Sequence, residues 1–398
     1  MNRLILTTVL ALSTSIATTA CTVFSPAQFP ETATTTTTTT PSTPSTTSTA
    51  STTTPSTTTS TTAATTTAPV TAANDGLQLA LTIHVERRDT EVSDRAEFEG
   101  HVATLEQLAD LAVEYDVILN FELSTVFVQA VDRWGSTFIE DMTALGHNIS
   151  QHSGDESTSG LTGDERVAEL MRQREAIEAH GVTVNYLSGA CSADDDWVES
   201  AIAAGFSAAT GNVEYCLRSL DDATLPDGME WIDDCHSQSI CHDPLHVGTE
   251  RVMHPWTTSS SATWLVDDPE GDLVIFTTDE ADGFVAMSQT GDADLNLSLE
   301  QWTAMLDAYV AAAVPGQLNV VNMVLSVGPE PDWALVQSMF AAAQARQDAG
   351  LLTWANLTDV VEQAVAEAPT QPADPPVIYT DITPDLGRPV GATLPARP

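Results

Sequence analysis

Two histidines and two glutamates of this chain are spaced as pairs suited to binding a divalent metal ion. One residue separates His84 from Glu86, and three residues separate His152 from Glu156. Imidazole and carboxylate groups are common protein ligands of Zn²⁺ and other divalent first-row metals. A catalytic metal site needs about three protein ligands and an open position for water. We therefore predict that Glu86, His152 and Glu156 bind one divalent metal, with Zn²⁺ as the expected ion and His84 alongside.

These polar residues lie at the ends of apolar segments that read as β-strands. The expected strands are 77–86, 117–124, 147–153, 182–189, 206–211, 273–278 and 318–327. Helical periodicity fills most of the intervals, so the chain reads as repeated βα units of a parallel sheet covered by helices. Seven or eight such units in one continuous domain favour a parallel barrel over an open sheet. The C-terminal ends of barrel strands converge on one mouth, where His84, Glu122 and His152 are expected to meet.

The segment GHNISQHS, residues 146–153, carries a family resemblance. It is similar to the second motif of the NodB-type polysaccharide deacetylases, and TIHVE, residues 82–86, occupies the place of their first motif. The resemblance follows the layout of residues 78–365 and is specific around 146–153. It implies an α/β fold of the irregular parallel (β/α)7-type barrel. It also implies a divalent metal and removal of N- or O-acetyl groups from an extracellular polysaccharide.

The resemblance also implies roles for individual residues. His84 takes the place of the family's aspartate base, and Glu156 takes the place of its second metal-binding histidine. His84 or one of the carboxylates, Glu86 included, would take the proton of the attacking water. Main-chain N–H groups near Ser153 or near Ser188 and Gly189 would bind the substrate oxyanion.

Two positions depart from the family pattern. Asn185 stands where the family has the arginine that orients the base, and Leu325-Ser326 lacks the histidine that would protonate the leaving group. His254, in the segment MHPW, is a candidate to take one of these vacant catalytic roles.

Two other functions remain open at this stage. A barrel of the same descent could bind carbohydrate or have a structural surface role without catalysis. A barrel glycosidase could use Glu86 and Glu122 as its pair of carboxylates. Metal content separates the deacetylase from the inactive barrel.

The ends of the chain predict export. Residues 1–21 read as a secretory signal peptide, and Cys21 is a possible lipidation site that would anchor the protein to a membrane. Residues 22–76 are rich in Thr, Ser and Pro and are expected to form a disordered tether. The barrel domain is predicted over 77–368, followed by a Pro-rich tail over 369–398. The expected location is the cell surface or periplasm if lipid-anchored, and otherwise the extracellular medium.

Charge and cysteine content restrict the partners and the compartment. The chain has 13 basic and 56 acidic residues, a formal net charge of −43, so nucleic acid is excluded as a partner by repulsion. Besides Cys21 there are four cysteines, an even number that predicts two disulfides in an exported domain. Of the three possible pairings, we expect Cys191–Cys216 with Cys235–Cys241.

Overall fold

A computed structural model provides the structure of the chain. It describes residues 76–154, 158–225, 232–233, 235, 253–277, 285–286, 298–327 and 331–367. The predicted signal peptide, the tether up to residue 75 and the tail lie outside these residues, as do Glu156 and Cys241. No helix within the described ranges has the length and apolar character needed to cross a membrane.

The strands and helices follow one another mostly in the predicted order, but the strands at 256–258 and 285–286 were not predicted. The strands are β1 Leu77–Val85, β2 Leu119–Ser124, β3 Asn148–His152, β4 Tyr186–Ser188, β5 Ala208–Thr210, β6 Trp256–Thr258, β7 Leu273–Ile275, β8 Val285–Ala286, β9 Val320–Ser326 and β10 Leu352–Trp354. The helices are α1 Arg95–Glu114, α2 Thr125–Trp134, α3 Phe138–Ala144, α4 Gly163–Glu178, α5 Trp197–Ala203, α6 Leu299–Ala312, α7 Trp333–Asp348 and α8 Leu357–Glu367. A 3₁₀ helix, Glu214–Ser219, follows β5.

The ten strands form one mostly parallel sheet. Their order is β6-β7-β5-β4-β3-β2-β1-β9-β8, and β10 pairs with the beginning of β1. The pair β6–β7 is antiparallel, whereas the other described pairs are parallel. In the register of this sheet, His84 lies opposite Glu122, and Ser124 lies opposite His152, which in turn lies opposite Ser188.

The sheet is strongly curled, as distances between non-adjacent strands show. Two strands, β3 and β4, separate β2 from β5, which in a flat sheet would place them about 14 Å apart. The hydroxyl oxygen of Thr210 on β5 nevertheless lies 2.7 Å from a carboxylate oxygen of Glu122 on β2. This curvature gives the sheet a concave face and confirms the predicted α/β fold of the irregular parallel barrel type.

The two faces of the sheet bury different kinds of side chain. On β1, Leu79, Leu81 and Ile83 join the apolar core between the sheet and its helices, whereas Thr82 and His84 alternate with them. Strand geometry makes this alternation necessary, because successive side chains point to opposite faces. The concave face is therefore the side of the sheet that carries the polar residues.

The beginning of α8 covers one part of the concave face through a buried asparagine. The Asn120 side-chain amide donates to the carbonyls of Leu81 and Ala355 and accepts from the N–H of Leu357. The neighbouring Asn148 donates to the Asn120 side chain. These bonds satisfy polar groups that would otherwise be costly to bury.

A disulfide joins the segment after β4 to the 3₁₀ helix. Cys191 and Cys216 are bonded across 25 residues of sequence, as predicted. Cys235 is also disulfide-bonded. The expectation of oxidised cysteines is thus confirmed for these three residues, while Cys241 lies outside the described ranges.

We predict that replacing both members of this disulfide, Cys191→Ala with Cys216→Ala, lowers the free energy of unfolding by about 3 kcal/mol. The closed loop of 25 residues restricts the unfolded chain, and its release makes unfolding more favourable. Urea denaturation at constant ionic strength measures the change. An unchanged midpoint would show that the bond contributes nothing to stability.

Asp196 connects the beginning of α5 to the segment that precedes β7. Its carboxylate accepts the N–H of Glu199, the N–H of Ser261 and the hydroxyl of Ser260. Burial on its own would raise the pKa of Asp196, but these hydrogen bonds outweigh burial and hold its pKa below the usual value. The charged form of this cap therefore stabilises the fold.

The variant Asp196→Ala is expected to lose about 1–2 kcal/mol of stability at pH 7. Because the folded pKa is depressed, the contribution of Asp196 is complete above its unfolded pKa and disappears as the pH falls through its folded pKa. Denaturation between pH 7 and pH 3 should thus show the two proteins converging at acid pH. Glu175→Ala, at an exposed position in the last turn of α4, is the control and should change stability by less than about 0.5 kcal/mol.

Candidate metal centre

His84, Glu86 and His152 come together at the C-terminal ends of β1 and β3. One ligand atom from each side chain lies within 4.8 Å of the others. The two imidazole rings are buried and their centroids are 4.5 Å apart, while the Glu86 side chain is 55% exposed. The group thus has a buried, nitrogen-bearing side and a carboxylate that reaches solvent.

The two ring nitrogens of His84 face different carboxylates. Nε2 lies 2.8 Å from Oε2 of Glu122, although without the alignment of a full hydrogen bond. Nδ1 is buried, has no hydrogen-bond partner, and lies 3.7 Å from Oε1 of Glu86. A buried imidazole nitrogen that no protein group satisfies is the observation expected of a metal ligand.

One ring nitrogen of His152 contacts the hydroxyl of Ser188, and the other faces the Glu86 carboxylate. Its Nδ1 lies 2.7 Å from the hydroxyl of Ser188, and its Nε2 lies 3.4 Å from Oε2 of Glu86. Burial alone would lower the pKa of His152, but the negative charges of Glu86 and Glu122 and the hydrogen bond to Glu86 raise it above the usual value. The surroundings of His152 therefore favour the positively charged form of its imidazole.

Glu122 is a fully buried carboxylate directly behind the two histidines. Burial raises its pKa, but the charge and hydrogen bond of His84 and the hydroxyls of Ser188 and Thr210 together hold the pKa below the usual value. The sequence predicts Glu122 at the end of an apolar strand and gives it a catalytic role only in the glycosidase hypothesis, not a place in the candidate metal centre. Its burial at the end of β2 depends on the curled sheet.

The measured separations fit one divalent ion. Two ligand atoms bound tetrahedrally, each about 2.1 Å from one ion, are about 3.4 Å apart. The two nitrogen-to-oxygen separations of 3.7 and 3.4 Å are close to that value. Two imidazoles and one carboxylate are a ligand set that suits Zn²⁺ and Fe²⁺. His84, Glu86 and His152 could therefore hold one divalent ion, and two of these residues, Glu86 and His152, are ligands that the sequence predicted.

The structure brings together most, but not all, of the predicted site residues. His84, Glu86, His152 and Ser188 meet, whereas Glu156 lies outside the described ranges and stays a prediction. His254 does not join them.

The contact that His254 makes places it at the other end of the sheet. Its Nδ1 is 3.0 Å from the carbonyl oxygen of Leu318, which precedes β9. Val320, the first residue of β9, pairs with Gln78, and His84 is six residues farther along β1, about 20 Å along the strand direction. The structure gives His254 no access to the metal centre.

Ser153 and Gly189 support the backbone around the histidines. The N–H of Ser153 donates to the carbonyl of Ser188, so it is already occupied rather than open to a substrate oxyanion. The Ser153 hydroxyl is buried against Gln173. Gly189 has a φ of 68°, and a Cβ at that position would lie 2.7 Å from the carbonyl oxygen of Ser153. This close approach makes glycine necessary at position 189.

The glycosidase hypothesis requires Glu122 to act on a substrate, and the geometry opposes this. Glu122 has no exposed surface and is surrounded by His84, Ser188 and Thr210. A catalytic carboxylate pair must flank the scissile bond. Glu122 cannot reach the scissile bond of a substrate without displacing the two histidines.

Comparisons with known proteins find similarity to solved structures at low identity. A polysaccharide deacetylase from Mycobacterium smegmatis is 18% identical, with 77% of this chain and 96% of that chain covered and a TM-score of 0.48. A second polysaccharide deacetylase, from Pseudomonas aeruginosa PAO1, is 13% identical. The match covers 75% of this chain and 94% of that chain, with a TM-score of 0.46. The 4-α-glucanotransferase from Thermococcus litoralis is 9% identical. The match covers 72% of this chain and 40% of that chain, with a TM-score of 0.49.

No protein-family model matches the chain, and no curated protein matches it by sequence. The chain is thus similar in structure to polysaccharide deacetylases at low identity. Any assignment of chemistry has to rest on the geometry of the site itself.

We predict that Gly189→Ala destabilises the protein more than Gly181→Ala. Both glycines have a positive φ, but a Cβ at Gly181 meets nothing within 4 Å, so that variant measures the conformational cost alone, about 1 kcal/mol. Gly189→Ala adds the displacement of the Ser153 backbone, next to His152. Urea denaturation gives both changes, and equal losses would show that this backbone can move without cost.

Proposed function

We propose that this protein is a metal-dependent hydrolase that removes acetyl groups from a polysaccharide. The observation that carries the proposal is the arrangement of His84 Nδ1, His152 Nε2 and the Glu86 carboxylate around one point. The sequence resemblance around residues 146–153 supports the choice of an acetylated polysaccharide as substrate.

Each residue has a role that follows from its position. A divalent ion bound here supplies Lewis-acid activation of an acetyl carbonyl and of water. His84 and His152 are proposed as ligands, because each directs a ring nitrogen at Glu86. Glu86 is proposed as the third ligand, which leaves Glu156 rather than His84 as the proposed proton acceptor.

Export is part of the proposal. The disulfide between Cys191 and Cys216 supports an oxidising compartment, where disulfides form and persist. Residues 1–21 would direct secretion, with Cys21 as the lipid anchor and residues 22–76 as the tether. Such an arrangement would hold the barrel near an extracellular polysaccharide.

The experiment is to measure zinc content and acetyl release on the purified chain. We expect about one Zn²⁺ per chain after reconstitution and acetate release from at least one of acetylated chitin oligosaccharides, peptidoglycan and acetylated xylan. The variants His84→Ala and His152→Ala should lose both the zinc and the activity. His180→Ala removes a histidine that pairs with Asp132 and Glu140 rather than with the candidate ligands, so this control should retain both.

The outcomes separate the open alternatives. Zinc binding without acetyl release from any of these polymers would favour the inactive, carbohydrate-binding barrel. A wild-type chain that binds no zinc, iron or cobalt would remove the metal-centre proposal. The variant His254→Ala should keep its zinc, since His254 lies away from the group.

A further inference from the structure

We propose that Glu122, Ser188 and Thr210 form a positioning network that orients both histidines and fixes the tautomer of His84. In this network His84 presents Nδ1, and His152 presents Nε2, to the point faced by Glu86. The inference deepens the proposed function and rests on it for the identity of the bound ion, but the His84 tautomer can be tested without any metal.

The first connection is direct. Glu122 Oε2 lies 2.8 Å from Nε2 of His84, and because a carboxylate can only accept a hydrogen bond, this close approach favours the tautomer of neutral His84 that carries its proton on Nε2. Nδ1 is then left with its lone pair, in a buried position with no hydrogen-bond partner. Metal-binding histidines commonly have their other ring nitrogen held by a carboxylate in this way.

The second connection runs through a serine. The Ser188 hydroxyl lies 2.7 Å from Nδ1 of His152. This contact holds the imidazole ring so that Nε2 is the nitrogen that faces Glu86, 3.4 Å from its Oε2. Ser188 thereby orients His152 toward the candidate metal position.

Thr210 completes the surroundings of the carboxylate. Its hydroxyl donates to Oε1 of Glu122 across 2.7 Å, so Oε1 is held by Thr210 while Oε2 faces His84. Curling of the sheet is what brings Thr210 of β5 to Glu122 of β2.

Charge gives the network a second purpose. A divalent cation bound by two neutral imidazoles and Glu86 leaves a net charge of +1 in a partly buried site. The Glu122 carboxylate, directly behind His84, brings the local sum to zero without touching the ion. Buried charge is costly unless it is compensated, so Glu122 should strengthen cation binding as well as orient His84.

The test compares histidine tautomers and zinc affinity in matched variants of the full chain. Long-range ¹H–¹⁵N spectra of histidine-labelled protein without metal, at a pH where the imidazoles are neutral, should show His84 protonated at Nε2. Glu122→Gln and Ser188→Ala should each weaken zinc binding by about 10- to 100-fold in competition with a chelator. Glu122→Gln should also change the proportion of the two His84 tautomers, whereas Ser188→Ala should leave that proportion unchanged.

Two controls separate positioning from general destabilisation. Ser150→Ala removes a buried strand hydroxyl that donates to the carbonyl of Tyr186, and Thr82→Val removes one that donates to Asn322. Both changes lie on the concave face but outside the network, so zinc affinity should stay within about 3-fold of wild type, the usual context-dependent scatter. Thr210→Val makes the same chemical change as the control Thr82→Val, but inside the network. It should therefore weaken zinc binding more than that control does.

The results distinguish failure of the inference from failure of the proposed function. His84 protonated at Nδ1, or unchanged zinc affinity in Glu122→Gln, would overturn the positioning network. The stated His84 tautomer in a wild-type chain that binds no zinc would support the network and overturn the metal-dependent function. Equal losses in Ser188→Ala and Ser150→Ala would show a structural effect and would also overturn the inference.

Discussion

A single fully buried carboxylate sets the requirements for the whole site. Glu122 has no exposed surface, and an uncompensated charge in that position would be too costly for a stable fold. The compensation comes from His84 on β1, Ser188 on β4 and Thr210 on β5. The carboxylate and its partners therefore depend on one another across four strands of the sheet.

Curvature of the sheet is the structural condition for this arrangement. Strands β2 and β5 are third neighbours, yet their side chains are in hydrogen-bond contact. Many apolar strand residues pack outward against the helices, whereas the inward positions carry the polar groups together with a second apolar cluster that includes Ala80 and Tyr186. Farther toward the start of the strands, Asn120 ties this concave face to the beginning of α8.

The backbone after β3 and β4 is as constrained as the side chains. The Ser153 N–H bonds to the Ser188 carbonyl, and Gly189 approaches the Ser153 carbonyl too closely for any side chain. Buried Arg166 of α4 donates to the carbonyl of Ala190, and Cys191 then ties the same segment to the 3₁₀ helix. Both histidine supports, Ser188 and the backbone of residue 153, are thus anchored in rigid structure. Such rigidity is what an oriented ligand set requires.

The sequence by itself determined the strand and helix order, the parallel α/β architecture and the strand ends at which polar groups collect. These features follow from periodicity and burial, which are local properties of the chain. It also identified His84, Glu86 and His152, and one disulfide. The tertiary structure alone decided that His254 lies away from the group and that Glu122 stands behind both histidines. Those facts depend on sheet order and curvature, which bring together residues far apart in sequence and which no local pattern encodes.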